Sequence, residues 1–262
     1  MSSHNVPGVI PYFDTTLRGD GPTLLLAHGA GGSVAGNFGP LLASLAATRR
    51  VVGPDYPGSG ATPRATAALT LDALADGVVA ATDDERFTVL GYSLGSAVAV
   101  RIATRHPDRV TGLILTAGFA RPDHRLSLAL QVWRKLLDSG NRTLVARYLT
   151  LLACGAKALQ SMSASELDSA IEGLADFLPD GSADHVDVAL QVDVTAELSA
   201  ISVPALVIAT TEDALVSPQS SAELAAGLPN SSLVEIDCGH NIATEATDAW
   251  LLTLHRWLEQ HG

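Results

Sequence analysis

Phe87-Thr88-Val89-Leu90-Gly91-Tyr92-Ser93-Leu94-Gly95-Ser96-Ala97-Val98-Ala99-Val100-Arg101-Ile102-Ala103 is the stretch that decides the fold. Its first four residues are an apolar, β-branched run of the kind that forms a buried strand. Its last eight read as a helix. Between them Gly91-Tyr92-Ser93-Leu94-Gly95 predicts a tight turn with a serine at its apex, held out in strained backbone geometry. Both glycines belong where any Cβ would strike the neighbouring strand or helix. The helix that begins just after Ser93 aims its partial positive end at the hydroxyl. Taken alone, the five residues also fit an ordinary glycine-bounded turn. The strand before and the helix behind favour the chemical reading.

Outward from this turn, short apolar runs alternate with amphipathic, alanine-rich ones. Strands are predicted at 23–27, 50–54, 87–90, 110–116, 205–209 and 232–236, and helices at 38–47, 71–82, 94–105, 218–226 and 247–260. The strand runs lack polar alternation, as expected where both faces of a parallel sheet are covered. Such alternation predicts an α/β fold with a doubly wound, mostly parallel sheet. The segment 6–16 is expected to add an edge strand or hairpin.

The rhythm breaks between about 120 and 195. That stretch reads as helices, for example 126–138, 142–153 and 165–177, inserted after the strand that ends at Thr116. Core is therefore expected at 1–119 and 196–262, with a helical insertion at 120–195. The insertion's first half carries Arg121, Arg125, Arg134, Lys135, Arg142, Arg147 and Lys157 against Asp123 and Asp138. Its second half carries Glu166, Asp168, Glu172, Asp176, Asp180, Asp184, Asp187 and Asp193, with no Lys or Arg. Pairing of the two halves, or simple hydration, is the plainer account. Attraction of an acidic substrate or an acidic carrier protein is the sharper one.

Composition narrows the classes. The 262 residues are 47% hydrophobic, ample for a sizeable core. A formal charge of −12 opposes nucleic acid and anionic membrane as partners. No apolar run is long enough to span a bilayer. The N-terminus lacks a basic region followed by an apolar one, and two cysteines, Cys154 and Cys238, make no disulfide framework, so a cytoplasmic location is expected.

A serine hydroxyl needs a base beside it and a third group to orient that base. His240 follows the last predicted strand, in Asp237-Cys238-Gly239-His240-Asn241. Asp213 follows the strand before it, in Thr210-Thr211-Glu212-Asp213-Ala214. Both lie at the sheet edge where open α/β sheets bind ligands. Glu212 is a rival for the acid, but alternation turns it the other way. A lone histidine at a strand end is commonly structural; the order Ser93, Asp213, His240 behind a serine turn is what argues for chemistry. The glycine-rich loop His28-Gly29-Ala30-Gly31-Gly32 follows the first strand. The N–H groups of Ala30 and Leu94 are the expected oxyanion donors. The loop matches neither dinucleotide nor P-loop patterns, and no His/Cys/carboxylate spacing suggests a metal, so neither cofactor nor metal is expected. Cys238 reads as a buried apolar filler.

Over essentially its whole length the sequence resembles the α/β-hydrolase superfamily. The resemblance rests on the 28–31 loop, the turn Asp55-Tyr56-Pro57-Gly58-Ser59-Gly60, the 91–95 elbow, the 203–208 strand leading to Asp213, and Gly239-His240. It implies an eight-stranded sheet, a helical cap at 120–195 that shapes the substrate pocket, and a Ser-His-Asp triad. Two positions depart from the pattern. Pro57 stands where arginine is common and Thr210 where glycine is common; neither is expected to touch the triad. His28 is expected to support the oxyanion loop. His124 and His185, in or beside the cap, could face the pocket, while His4, His106, His255 and His261 read as surface residues.

These readings converge on a cofactor-free serine hydrolase. The expected substrate is a small-molecule ester, lactone or thioester with an apolar portion. Two rivals stand beside it. An acyltransferase or cyclase of biosynthesis would use the same three residues with another acceptor. A ligand receptor on the same fold would need none of them.

Overall fold

The computed structural model describes residues 12–261. Seven strands form one sheet: β1 (Thr15–Arg18), β2 (Thr23–Ala27), β3 (Arg50–Pro54), β4 (Phe87–Tyr92), β5 (Val110–Thr116), β6 (Ala205–Thr210) and β7 (Ser231–Ile236). Their order is β1-β3-β2-β4-β5-β6-β7. Only β1 runs antiparallel, against β3; the other pairs are parallel. Thus seven strands, rather than the eight implied by resemblance, lie among the described residues. Of the expected 6–16 edge segment, Thr15 and Thr16 open β1, and residues 6–11 lie outside the described residues.

The apolar runs predicted as strands are buried for the reason anticipated. Every residue of β2, β4 and β6 is buried. Their side chains alternate between two cores. Leu24, Leu26, Leu90 and Ile114 pack with Phe38 of helix α1 (Val34–Leu45) and with Trp250 and Leu254 of the C-terminal helix α10 (Thr247–His261). Leu25, Val89, Leu113, Leu115 and Val207 face the other way. There they meet α2 (Leu71–Val79), α3 (Leu94–Arg105) and Leu224 of α9 (Pro218–Gly227). Helices thus cover both faces, as a doubly wound sheet requires.

Between β5 and β6 the chain leaves the sheet. It forms α4 (His124–Asp138), α5 (Arg142–Ala153), α6 (Ala156–Ser161), α7 (Ala164–Phe177), α8 (Ser182–Gln191) and a 3-10 helix (Thr195–Ala200). Side chains cap three of these five α-helices: Asp123 for α4, Asn141 for α5, and a reciprocal Ser163–Glu166 pair for α7, while α6 and α8 begin uncapped after Gly155 and Gly181. Leu126, Leu130, Trp133, Val145, Leu149 and Val186 of this segment join the same core as β4 and α3. The segment therefore shares apolar surface with the sheet instead of folding around a separate centre.

Much of its uneven charge is paired. Arg134 binds Asp138 and Asp187, and Arg147 lies 3.9 Å from Asp168. Arg142 donates to the carbonyls of Ala175, Asp176 and Leu178 at the end of α7, where a cation is favoured. Among the described residues no helix is long and apolar enough to cross a membrane.

Candidate active site

The turn between β4 and α3 is built by sterics. Ser93 has φ 55° and ψ −122°, a conformation that L-residues rarely adopt. A Cβ on Gly91 would collide with the Gly95 carbonyl oxygen, and one on Gly95 with the Ala27 carbonyl of β2. The turn is thus clamped between its own helix and the neighbouring strand. The Ser93 N–H donates to the Thr116 carbonyl of β5 at 2.9 Å. Strain of this kind costs about 1–3 kcal/mol and persists because the surroundings over-determine it.

His240 and Asp213 arrive from the ends of β7 and β6. His240 Nε2 lies 3.0 Å from Ser93 Oγ, and its Nδ1 lies 2.6 Å from Asp213 Oδ2. All three residues are buried. Asp213 Oδ1 accepts the N–H groups of Leu215 at 2.9 Å and Val216 at 2.8 Å. These four partners assign the tautomer: Nδ1 carries the proton toward the carboxylate, leaving Nε2 to accept from the serine. Tyr92, the residue before the serine, donates its hydroxyl to the His240 carbonyl at 2.6 Å. Glu212 does turn the other way, its carboxylate 3.0 Å from Lys157 Nζ.

The 28–32 loop abuts the serine so closely that a Cβ on Gly29 would stand 3.2 Å from Ser93 Cβ. Its backbone is tied down residue by residue. Gly29 N–H donates to Asn37 Oδ1 at 2.8 Å, and the Gly32 carbonyl accepts from Ser59 Oγ at 2.7 Å. His28 Nδ1 donates to the Gly29 carbonyl at 2.8 Å while Nε2 accepts the Tyr56 N–H at 2.9 Å. The Leu94 amide is the first of α3 and has no acceptor within its helix. The Ala30 amide makes no hydrogen bond to another described residue. Both expected oxyanion donors are therefore uncommitted.

His185 of α8, read in sequence with His124 as a residue that could face the pocket, is instead the tie between the helical segment and this loop. Its Nδ1 accepts the Gly31 N–H at 3.2 Å, and its Nε2 donates to the Pro57 carbonyl at 3.0 Å. His124, by contrast, is exposed. Burial pushes the His28 imidazole down to about 3, with a smaller contribution from His185. Burial likewise lowers His185 to about 4. Both rings are neutral at pH 7, which the accepting nitrogens require.

One expectation needs correcting. Thr210, the position that departs from the glycine pattern, does touch the triad residues: its Oγ1 donates to Asp213 Oδ2 at 2.9 Å. A hydroxyl three residues before the acid, at the last position of a strand, is close enough for that bond. Cys238 is buried as expected, and desolvation with nearby carboxylates pushes its thiol up to about 12, so it stays protonated. Among the described residues no cluster of three or more His, Cys, Asp or Glu side chains is placed to hold a metal.

Comparison with known proteins agrees with this fold. A family model for the alpha/beta hydrolase fold matches residues 22–247. Pyrrolizixenacetamide deacetylase of Xenorhabdus hominickii is 29% identical, over 92% of each chain. Pimeloyl-[acyl-carrier protein] methyl ester esterase of Neisseria meningitidis is 32% identical over 81% of this chain and 83% of its own. The solved structure of a thermophilic esterase from Thermogutta terrifontis superposes with a TM-score of 0.81 over 97% of this chain and 99% of that one, a likeness of fold at 23% identity. The match of the family model across most of the chain, over the elements that carry Ser93, Asp213 and His240, places this protein in the alpha/beta hydrolase fold family.

Proposed function

We propose that this protein is a serine hydrolase that cleaves a carboxylic ester or a related acyl bond through an acyl-enzyme on Ser93. The observation that carries the reading is the unbroken hydrogen-bond chain from Ser93 Oγ through His240 to Asp213, at a strained turn. Ser93 Oγ attacks the substrate carbonyl carbon as His240 Nε2 takes its proton. The amides of Ala30 and Leu94 hold the resulting oxyanion. His240 returns the proton to the leaving group as the carbonyl re-forms. Water then attacks the acyl-enzyme, giving its proton to His240, and the acid departs as Ser93 recovers its hydrogen. Asp213 orients the ring and stabilises the imidazolium in both halves. No cofactor takes part in this sequence.

Residues 120–195 act in this reading as a cap. Leu126, Leu130, Trp133 and Leu149 share one apolar cluster with Leu94, Leu215 and Val216 beside the triad residues. That supports a substrate with an apolar portion. One relative is named a deacetylase and another a methyl ester esterase, which supports testing amides beside esters. The esterase's carrier-borne substrate would suit the acidic-carrier idea. On this chain, however, most cations of the first half are held by carboxylates and carbonyls. A free small-molecule acyl compound is therefore the substrate proposed. The receptor alternative is disfavoured because a binder has no need of a strained serine with its base and acid in register.

Intact-mass spectrometry after treatment with a fluorophosphonate, beside turnover of p-nitrophenyl esters from C2 to C12 and p-nitroacetanilide, tests the proposal. A single phosphonyl adduct on wild type, absent from S93A, with ester turnover, is the expected result. A folded wild type that takes no adduct and turns over none of these substrates would overturn it. Recovery of acyl product on an added alcohol or amine in preference to water would reassign the activity as acyl transfer.

A further inference from the structure

Asp213 sits in an environment that leaves none of its carboxylate unattended. Its side chain is fully buried. Oδ1 takes two backbone N–H groups, from Leu215 and Val216. Oδ2 takes two donors as well: His240 Nδ1–H at 2.6 Å and the Thr210 hydroxyl at 2.9 Å. The two donors on Oδ1 fix that oxygen but leave the carboxylate free to rotate about it. A second donor on Oδ2 removes that freedom. The Thr210 hydroxyl itself is immobile, because Thr210 closes β6, is buried, and pairs in the sheet opposite Ile236. Water has no access to replace it.

From this we infer that Thr210 is a positioning residue of the proposed reaction, whose hydroxyl locks the Asp213 carboxylate so that Oδ2 faces the His240 ring. The inference rests on the Ser93–His240–Asp213 reading above and goes one residue beyond it. The physical need is plain. His240 must swing its Nε2 between Ser93 and the leaving group without losing its axis. That axis is set by the Nδ1–Oδ2 bond, for the ring's nearest aromatic neighbour, Tyr92, lies 5.1 Å away between centroids and gives it no hydrogen bond. A carboxylate that rotates therefore lets the base drift. A glycine at position 210 supplies no hydroxyl, so a chain built that way must hold its acid by other contacts.

T210V is nearly isosteric and removes only the donor; T210A removes it with less crowding, and T210S keeps it. Kinetics with the best p-nitrophenyl ester, and the proton NMR signal of the His240 Nδ1–H, read the effect. The expected result is a kcat about tenfold lower in T210V and T210A, with KM unchanged, and restoration to within about twofold in T210S. Without the Thr210 hydroxyl the carboxylate rotates and the Nδ1–Oδ2 bond loosens, so the Nδ1–H signal moves upfield in T210V but not in T210S. Thr210 acting only as packing would instead lower kcat in proportion to the folded fraction, leave the signal in place, and give T210S no advantage over T210A; that outcome overturns the inference. S93A separates the two readings. If S93A keeps turnover, the hydrolase mechanism fails while the NMR comparison still decides Thr210. If S93A is inactive and T210V matches wild type in both readouts, only the Thr210 inference fails.

Discussion

Acid should unfold this protein through two histidines that take no part in the proposed chemistry. His28 and His185 are fully buried, their rings 6.0 Å apart, and each uses one nitrogen as an acceptor. Their imidazoles are lowered from 6.5 to about 3 and about 4. The sign follows. Above pH 6.5 neither the folded nor the unfolded chain binds these protons. Between 6.5 and the folded values only the unfolded chain does, so stability falls as the pH falls. Each group costs about 1.4 kcal/mol per pH unit within that window. Acidification from pH 6.5 to 4.5 therefore removes about 5 kcal/mol, a large part of the 5–15 kcal/mol that holds a typical domain together. Carboxylates whose titration is lowered, such as the half-buried Asp84 and Glu212 and the exposed Asp237, respond below this window. Urea unfolding followed by tryptophan fluorescence at pH 7.5, 6.5, 5.5 and 4.5 measures the loss. H185Q keeps an acceptor and a donor but cannot titrate. It should start less stable at pH 7.5 and lose only about half as much on acidification. Equal stability at pH 6.5 and 4.5 in wild type, or an H185Q slope equal to wild type's, would refute the reasoning.

Other outcomes follow from particular contacts. S93A should lose at least about 10⁴-fold in kcat while staying folded by circular dichroism. S93G should be equally inactive yet more stable by about 1 kcal/mol in thermal unfolding, because glycine accepts the φ of 55° without strain. G95A drives a Cβ into the Ala27 carbonyl of the neighbouring strand β2, and a destabilisation of about 3 kcal/mol or more, seen as a fall in urea midpoint or insoluble expression, is expected. E245A strips the acceptor from two backbone N–H groups, those of Gly155 and Gly239, and should cost about 2 kcal/mol and raise protease cleavage near residue 155.

Legibility tracked how local each signal was. The strands around Ser93 were readable because a strand buried on both faces must be apolar throughout, and Leu24-Leu25-Leu26 or Val89-Leu90 leave no other reading. The segments Arg142–Ala153 and Leu94–Arg105 could be bounded because Asn141 caps the first and Gly91–Gly95 sterics start the second. Short α6 and α8 escaped, since six and ten residues give a weak period and neither has a side-chain cap. The site divided the same way. Ser93, Asp213 and His240 follow strands, so chain order brought them to one edge. Long-range contacts outside that strand-end pattern carried no sequence mark. His185 reaches Gly31 across 154 positions and Tyr92 reaches His240 across 148. Thr210 was different: it lies three residues from Asp213 and was noticed, but only as a mismatch to a pattern.

The ties between the helical segment and the core meet at the proposed reaction centre from two sides. On one side His185 of α8 holds Gly31, next to the proposed oxyanion donor Ala30. On the other, the elbow between α5 and α6 lies on the histidine loop. Asn241 N–H donates to the Ala153 carbonyl at 3.0 Å, and Glu245 accepts from Gly155 at 3.1 Å and from Gly239, the residue before His240, at 2.8 Å. Lys157 adds its ammonium to Glu212 and Asp237, beside Asp213 and Cys238, though such an exposed pair contributes little by itself. A segment fixed at both ends of the oxyanion-to-base axis cannot lift as one rigid lid without disturbing the loop or the base. Substrate entry must then rely on motion of parts that bear neither tie, among which α7, with most of its residues exposed, is the least anchored. A disulfide or crosslink that immobilises α7 against α5 should therefore slow turnover of long acyl chains more than short ones. Equal slowing of C2 and C12 esters would point instead to a path that avoids α7.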